Sequence, residues 1–167
     1  MANTGAPWNI PYVEPTDLVR DYPAADEAQA LAVAAGLSAA GTVEQVVVSD
    51  FADNIVSTSS TSFVSIPNLS VSITPKSADN KIIAVMYVNG AATGDTRRSA
   101  FYRLTRDGTP IVQSEFSESH SSTTPIRLDE PSTTSSITYE GEFRSSRSDR
   151  GARARDRQIL LIEVNNG

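Results

Sequence analysis

The sequence predicts a mainly β protein, in which a jelly-roll-like β-sandwich follows an extended proline-rich arm and one short helix. Three observations lead to this fold class. Four prolines fall within residues 7–23, and proline disrupts helix interiors and central strands. Strong helix formers fill residues 24–40, and short apolar segments then alternate with polar loops to the end of the chain. The predicted parts are an arm at 1–23, a short helix or linker at 24–41 and a β-sandwich knob at 42–167.

The arm combines proline with apolar and aromatic side chains. Its sequence, "PWNIPYVEPTDLVRDYP", is too rich in aromatic residues for an ordinary disordered tail. Prolines lower the conformational entropy that an extended segment loses on docking, and aromatic side chains are typical anchors of an interface. We therefore predict that the arm binds a partner. The predicted anchor residues are Pro7, Trp8, Ile10, Pro11, Tyr12, Pro15, Leu18 and Tyr22.

The predicted helix reads "AADEAQALAVAAGLSAA" over residues 24–40. Asp26 and Glu27 suit its first turn, where the helix dipole favours negative charge. Pro23 is typical of the first helical position, and Gly41 of the stop. Small side chains dominate this segment, so the helix either packs closely against copies of itself or lies on a neighbouring surface.

The strands are predicted from alternation and from turn residues. Apolar and polar side chains alternate over residues 69–74, as in a half-buried strand. Asp107-Gly108 predicts a hairpin, and we also predict turns at Ile66-Pro67-Asn68 and Asn89-Gly90. Eight short strands with polar loops favour a sandwich or jelly roll. They are predicted at 44–51, 62–66, 69–74, 81–88, 99–105, 110–116, 136–143 and 158–164.

The charge distribution and composition exclude several functional classes. The net charge is −6, and residues 1–50 carry all of it, with seven acidic residues and one basic residue. The remaining surface is neutral overall, which argues against a nucleic-acid partner. No apolar run is long enough to cross a membrane, and no secretory leader is visible. With no cysteine and one histidine, we predict no disulfide, no metal and no cofactor.

Residues that could carry catalysis are few. The lone histidine, His120, has no G-x-S-x-G partner motif. Two carboxylate pairs, Asp129-Glu130 and Glu140-x-Glu142, are the residues that a polysaccharide depolymerase would need. Solvation on the surface explains them at least as well, so we predict a protein that is not an enzyme and keep the depolymerase as an alternative.

The segment "RSSRSDRGARARDRQ" concentrates positive charge before the last predicted strand. Guanidinium groups suit planar anions such as phosphates and acidic glycans. Three interpretations stay open: an anion site, a solvated loop, and a contact with the acidic arm of the same or a neighbouring chain. The arginines concerned are Arg144, Arg147, Arg150, Arg153, Arg155 and Arg157.

The arm and helix, through "YPAADEAQALAVAAGL", resemble the N-terminal segments of bacteriophage tail-fibre and minor tail proteins. The segment "SVSITPKSADNKI" resembles the trimeric jelly-roll tips and head-decoration knobs of phage virions. The resemblance implies a homotrimer on the phage tail or capsid surface, with the arm bound to another virion protein.

The same resemblance implies a knob that meets a host glycan or receptor, or one that coats the shell. The chain lacks the collagen-like or coiled-coil shaft of long fibres. A tail fibre, tip or minor tail protein in host attachment is the prediction. A capsid decoration or head-fibre protein is the alternative.

Overall fold

The computed structural model describes residues 2–3, 11–12, 30–32, 42–93, 99–116 and 121–166. The chain divides into two compact units: Val43–Val164 form one, and residues 1–42 with 165–167 form the other. Residues 30–32 are helical, and the rest of the predicted helix lies outside the described residues.

The smaller unit contains a two-stranded antiparallel ribbon. Strand β1 (Ala2–Asn3) pairs with β2 (Pro11–Tyr12), which places Ala2 opposite Tyr12. In the same unit, the Asn165 N–H donates to the Thr42 carbonyl at 2.9 Å.

The larger unit is a β-sandwich of two antiparallel sheets. Its strands are β3 (Val43–Val48), β4 (Val56–Thr58), β5 (Val64–Ile73), β6 (Lys81–Thr93), β7 (Ala100–Arg106), β8 (Thr109–Phe116), β9 (Ser121–Thr123), β10 (Ile126–Asp129), β11 (Ile137–Ser145) and β12 (Gly151–Val164). A six-stranded sheet follows the order β10, β6, β12, β3, with β4 paired to β12 and β9 paired to β6. A four-stranded sheet follows the order β5, β11, β7, β8. The predicted β-sandwich is confirmed.

The core lies between the two sheets. Met86 and Leu161 come from the six-stranded sheet, whereas Tyr139 and Phe143 come from the four-stranded sheet; all four are at most 2% exposed. The core is tightly packed around Gly141, where an added Cβ would clash with the Leu69 side chain of the same sheet and would lie 3.0 Å from the Met86 sulfur of the other sheet. A side chain at this position would therefore displace both Leu69 and Met86.

One predicted turn is confirmed and two are wrong. Asp107 and Gly108 form the hairpin turn between β7 and β8, with positive φ values of 47° and 78°. In contrast, β6 continues through Asn89-Gly90, because that segment pairs with β12. Strand β5 continues through Pro67-Asn68, where the pairing with β11 shifts register instead of ending.

The last strand is longer than predicted, and three short strands of the sandwich were not predicted. Strand β12 begins at Gly151 rather than at residue 158, because β4 and β6 both pair with its first half. The unpredicted strands β4, β9 and β10 have three or four residues each, which is too short for a clear alternating pattern.

A buried arginine joins the two sheets. Arg157 has no exposed surface. Its Nε and Nη2 donate to the Pro67 carbonyl at 3.0 and 2.8 Å. Its Nη1 donates to the Asn54 carbonyl at 2.6 Å, and Nη2 donates to Asn54 Oδ1 at 3.0 Å. Burial lowers the pKa of Arg157, and the carboxylate of Asp53 opposes that shift.

Two irregular strand segments place this guanidinium. In β12, Asp156 has a φ of 39° and is an extra residue in the pairing with β6. The extra residue reverses the alternation of side chains, so Arg157 points into the sandwich while Arg155 is 59% exposed. In β5, Asn68 has a φ of 59°, and this bulge presents the Pro67 carbonyl to the guanidinium.

A buried carboxylate holds the other end of β12. Glu163 has no exposed surface. Its Oε1 accepts from the Lys76 N–H at 2.8 Å and from Asn80 Nδ2 at 2.7 Å, and its Oε2 accepts from Gln45 Nε2 at 2.5 Å. Burial by itself would raise the pKa of Glu163, but hydrogen bonds from side-chain and backbone amides outweigh it, and the pKa lies below its usual value. The resulting stability is complete above about pH 4.3 and is lost as the pH falls through the folded-state pKa.

Replacing Arg157 by Met should lower the free energy of unfolding by about 3 kcal/mol or more, because buried carbonyls lose their donors. Arg155→Met is the matched control, since that exposed side chain should contribute no more than about 0.5 kcal/mol. Denaturant unfolding at a fixed chain concentration measures both changes. Equal stability of the two variants would show that Arg157 does not hold the sheets together.

Glu163→Gln should lower the free energy of unfolding by about 2 kcal/mol at pH 7. The difference from the unchanged protein should shrink below about pH 4, because protonation then removes the same charge from the unchanged protein. Glu130→Gln is the control: Glu130 is 65% exposed and pairs with Lys81 at 3.1 Å, so its effect should stay within about 1 kcal/mol. A Glu163→Gln difference that is constant from pH 7 to pH 3 would contradict the charge-based account.

Candidate functional site

The outer surface of the six-stranded sheet carries a continuous set of aliphatic side chains. Successive side chains of a strand point to opposite sides. Val47, Met86 and Leu161 pack into the core, so their neighbours along the chain point outward. We call eight side chains on this outer surface the aliphatic face. They are Val46 and Val48 (β3), Ile83 and Val85 (β6), Ile126 and Leu128 (β10), and Leu160 and Ile162 (β12).

The strand register arranges the aliphatic face in two rows, each with one residue from each of the four strands. Directly opposed residues of an antiparallel pair point to the same side, so the eight side chains share one surface. The first row contains Ile126, Val85, Leu160 and Val48, and the second contains Leu128, Ile83, Ile162 and Val46.

The centre of the aliphatic face is uncharged and its margins are charged. The four members on the edge strands β3 and β10 are 47–60% exposed, and the four on β6 and β12 are partly buried. At one margin, Lys81 Nζ pairs with Glu130 Oε1 at 3.1 Å. At the opposite margin, Arg155 Nε lies 3.5 Å from Asp156 Oδ1. An apolar centre with a polar rim is the composition of a protein–protein interface.

Sequence analysis predicted three of the four strands that form the aliphatic face. It missed β10, which supplies Ile126 and Leu128. The signal was the alternation of these two residues with Arg127 and Asp129. Four residues are too few to distinguish a strand from a loop without knowing that β6 lies beside them.

Two of the predicted anchor residues, Pro11 and Tyr12, form β2. The other anchor residues and His120 lie outside the described residues. These anchors are Pro7, Trp8, Ile10, Pro15, Leu18 and Tyr22.

The six arginines of the predicted basic segment do not form one patch. Arg147 and Arg150 lie between β11 and β12; Arg147 is 63% exposed, whereas Arg150 is 13% exposed. The other four lie in strands, because β11 ends at Ser145 and β12 begins at Gly151. Of these four, Arg157 is buried, so an external anion cannot reach it.

Arg144 belongs to a stacked cluster on the outer surface of the four-stranded sheet. Its guanidinium carbon lies 3.8 Å from the ring centre of Phe101 and 5.1 Å from that of Phe63. The Arg103 guanidinium carbon lies 4.0 Å from the same Phe63 ring, and Arg103 also pairs with Glu142. Such cation–π contacts stabilise a surface. These groups satisfy one another and are therefore part of the fold.

Three of the four carboxylates that could have served catalysis take part in structural contacts. Asp129 is 8% exposed; each of its oxygens accepts from Arg106 Nη1 at 2.8 Å, and Oδ2 also accepts from the Tyr139 hydroxyl at 2.6 Å. Burial and the bond to Asp129 raise the pKa of Tyr139, so its hydroxyl stays protonated. Glu130 and Glu142 each pair with a basic side chain.

Among the described residues, no group of three or more histidine, aspartate or glutamate side chains is placed to hold a metal ion. None of the helical residues in the described ranges belongs to a helix long and apolar enough to span a membrane.

No protein-family model and no curated protein matches the sequence. Among solved structures, the insecticidal delta-endotoxin Cry8Ea1 from Bacillus thuringiensis matches with a TM-score of 0.43 and 12% identity, over 67% of this chain and 20% of that chain. The VP2 subviral particle of infectious bursal disease virus matches with a TM-score of 0.44 and 12% identity, over 75% of this chain and 34% of that chain.

Dimeric latent PorU from Porphyromonas gingivalis matches with a TM-score of 0.38 and 12% identity, over 74% of this chain and 13% of that chain. The chain thus spans 13–34% of the length of these three proteins. These similarities assign neither a family nor a function.

Proposed function

We propose that this chain is a non-enzymatic structural protein of a bacteriophage virion. Residues 1–23 anchor it to another virion protein, and its β-sandwich assembles into a homotrimer through the aliphatic face. Its place in the virion is a tail fibre, tail tip or minor tail protein that acts in host attachment. The observation that carries the assembly part of the proposal is the aliphatic face, and the virion part rests on the resemblance of the arm and of the strand–turn–strand segment.

The aliphatic face supports contact between copies of this chain. Single exposed apolar residues are ordinary, but a contiguous set with a charged rim marks an interaction site. Its four most exposed members would each gain about 1 kcal/mol on losing the exposed half of their surface to a partner. The face carries no charge that a partner would have to complement, so three copies of it can meet around a threefold axis, as a closed cyclic trimer requires.

The position of the N-terminal connection supports a joint role for the face and the arm. Val43, the first residue of β3, lies opposite Val164 beside the end of the aliphatic face, and residues 1–42 join the sandwich there. Copies that meet through this face therefore bring the points at which residues 1–42 are attached close to one another. Several linked arms bind a particle more tightly than one arm, because the second and third contacts become intramolecular.

The engaged carboxylates support a non-enzymatic role. A glycosidase needs one carboxylic acid and one carboxylate positioned on either side of a glycosidic bond. Three of the four candidate carboxylates, Asp129, Glu130 and Glu142, instead each pair with a basic side chain. The depolymerase alternative predicts new reducing ends when the purified chain is incubated with host polysaccharide.

Ile126→Glu should convert the trimer into monomers, because a carboxylate buried in an aliphatic contact loses its hydration without gaining a partner. We expect the dissociation constant of the trimer to rise by at least about 10-fold for each Ile126 contact between subunits that is lost. Ile55→Glu is the matched control: Ile55 is 59% exposed against 60% for Ile126, and it lies between β3 and β4, outside the face. Light scattering coupled to size-exclusion chromatography gives the mass of each variant.

A monomeric unchanged protein, or equal dissociation by Ile126→Glu and Ile55→Glu, would overturn assembly through this face. Circular dichroism of both variants confirms that each remains folded, as expected for substitutions at exposed positions.

Deleting residues 1–23 should leave a soluble trimer that no longer joins phage particles, because the sandwich and its aliphatic face remain intact while the anchor is lost. Incorporation is measured by complementing a phage that lacks this protein and probing purified particles. Normal incorporation of the truncated chain would contradict the anchor. Aggregation of the truncated chain would instead indicate that the arm covers the aliphatic face within one chain.

The copy number per particle distinguishes the two locations in the virion. Gel densitometry of purified particles against the major shell protein should give a few trimers if the protein belongs to the tail. Copies in numbers comparable to the shell protein would assign it to capsid decoration instead.

A further inference from the structure

Two cavities open where β4, β6 and β12 meet, and Arg153 lines both. The smaller has a volume of about 100 Å³ and is lined by Ile55, Asn89, Gly90, Ala91, Arg153 and Arg155. The larger has a volume of about 470 Å³. Its walls are hydroxyl-bearing and charged side chains of β4, of the end of β6 and of the connection between β11 and β12.

Among the described residues that line these cavities, three are arginines and one is a carboxylate, so positive charge dominates there. That carboxylate, Asp149, lies 3.8 Å from Arg150 Nε and also accepts from Arg147 Nε at 3.0 Å. Arg155 has Asp156 as its neighbour. Within the described part of the chain, no carboxylate lies within 4.0 Å of the Arg153 guanidinium. An exposed cation between two cavities is therefore available to an anion.

The backbone beneath Arg153 is held in place from the core side. Arg153 lies opposite Ala91 on β6 and opposite Ser57 on β4, so small side chains flank the guanidinium. The buried hydroxyl of Tyr102 accepts from the Ala91 N–H at 3.2 Å and donates to the Arg153 carbonyl. Burial raises the pKa of Tyr102, which keeps this donor protonated. The backbone that carries Arg153 is thus fixed within the sheet, although a loop supplies part of the wall of the larger cavity.

We propose that Arg153 is the centre of a binding site for the carboxylate of an acidic saccharide, of the uronic-acid type. A guanidinium pairs with a carboxylate through two parallel hydrogen bonds. The hydroxyls of Ser57, Ser59 and Thr93 line the larger cavity and can both donate to and accept from sugar hydroxyls. The volume of the larger cavity falls in the range of small-ligand pockets, about 300–1,000 Å³.

The composition of the walls favours this ligand class over nucleic acid. Among the lining residues that the structure describes, none is aromatic, and single-stranded nucleic acid relies on aromatic stacking. The site belongs to a single chain and does not depend on assembly through the aliphatic face. Its test is therefore independent of the proposed virion role.

The test is a titration of the isotope-labelled full chain with trigalacturonate, followed by nuclear magnetic resonance of the arginine Nε–H groups. Maltotriose serves as the neutral probe and inorganic sulfate as the simple anion. We expect saturable binding of trigalacturonate, no binding of maltotriose, and a shift of the Arg153 Nε–H resonance. Arg153→Ala should weaken binding by about 10-fold or more, and Arg153→Lys should weaken it less, because it keeps the charge but loses the fork.

Arg127→Ala is the matched control, because it removes the same charge from an exposed arginine of β10 that lines neither cavity. The dissociation constant of trigalacturonate from this variant should stay within about 2-fold of that from the unchanged protein. Equal weakening by Arg127→Ala and Arg153→Ala would show diffuse electrostatic attraction and overturn the site. Sulfate binding as tight as that of trigalacturonate would overturn recognition of a saccharide, and an absence of saturable trigalacturonate binding would overturn the whole proposal.

Discussion

The β-sandwich depends on one buried cation. Arg157 is placed in the middle of the longest strand, and its guanidinium donates to carbonyls of Pro67 and Asn54. A charge is tolerated away from water only where its donors are satisfied. This requirement couples three parts of the chain at once: the bulge at Asp156, the irregular course of β5 and the connection between β3 and β4. The two sheets are therefore joined by directional bonds as well as by apolar packing.

The bulge also organises the outer surface of the six-stranded sheet. Before it, Arg153 and Arg155 point outward; after it, Leu160 and Ile162 do. In an uninterrupted strand every second residue would point outward without a change of phase. Arg157 would then be exposed, and the core residues Ile159 and Leu161 would point to solvent. Because of this one inserted residue, the two cavities beside Arg153 and the aliphatic face lie on the same side of β12, one after the other along the strand. Glu163 then fixes the far end of the strand through its hydrogen bonds to side-chain and backbone amides.

The local pattern of apolar, polar and turn residues predicted the elements whose pairing strands are near in sequence. The hairpin at Asp107-Gly108 needs only its own two residues and the strands beside them, and it forms as expected. Asn89-Gly90 and Pro67-Asn68 carry the same kind of turn residues, yet they continue strands, because β12 and β11 arrive from far along the chain to pair with them. Turn propensity is a weak preference, and the pairing of a whole strand outweighs it.

The sequence by itself determined the mainly β sandwich, the sandwich strands that alternate clearly, and the separation of an acidic N-terminal third from a neutral β region. These properties follow from side-chain period and composition, which are local. Only the tertiary structure decided which surface of each strand faces outward and which arginines remain accessible. The physical reason is that one bulge reverses the parity of every residue beyond it. The aliphatic face and the cavities beside Arg153 share one side of β12 because of that reversal. Each also combines residues that are distant in sequence and that only the strand register brings together.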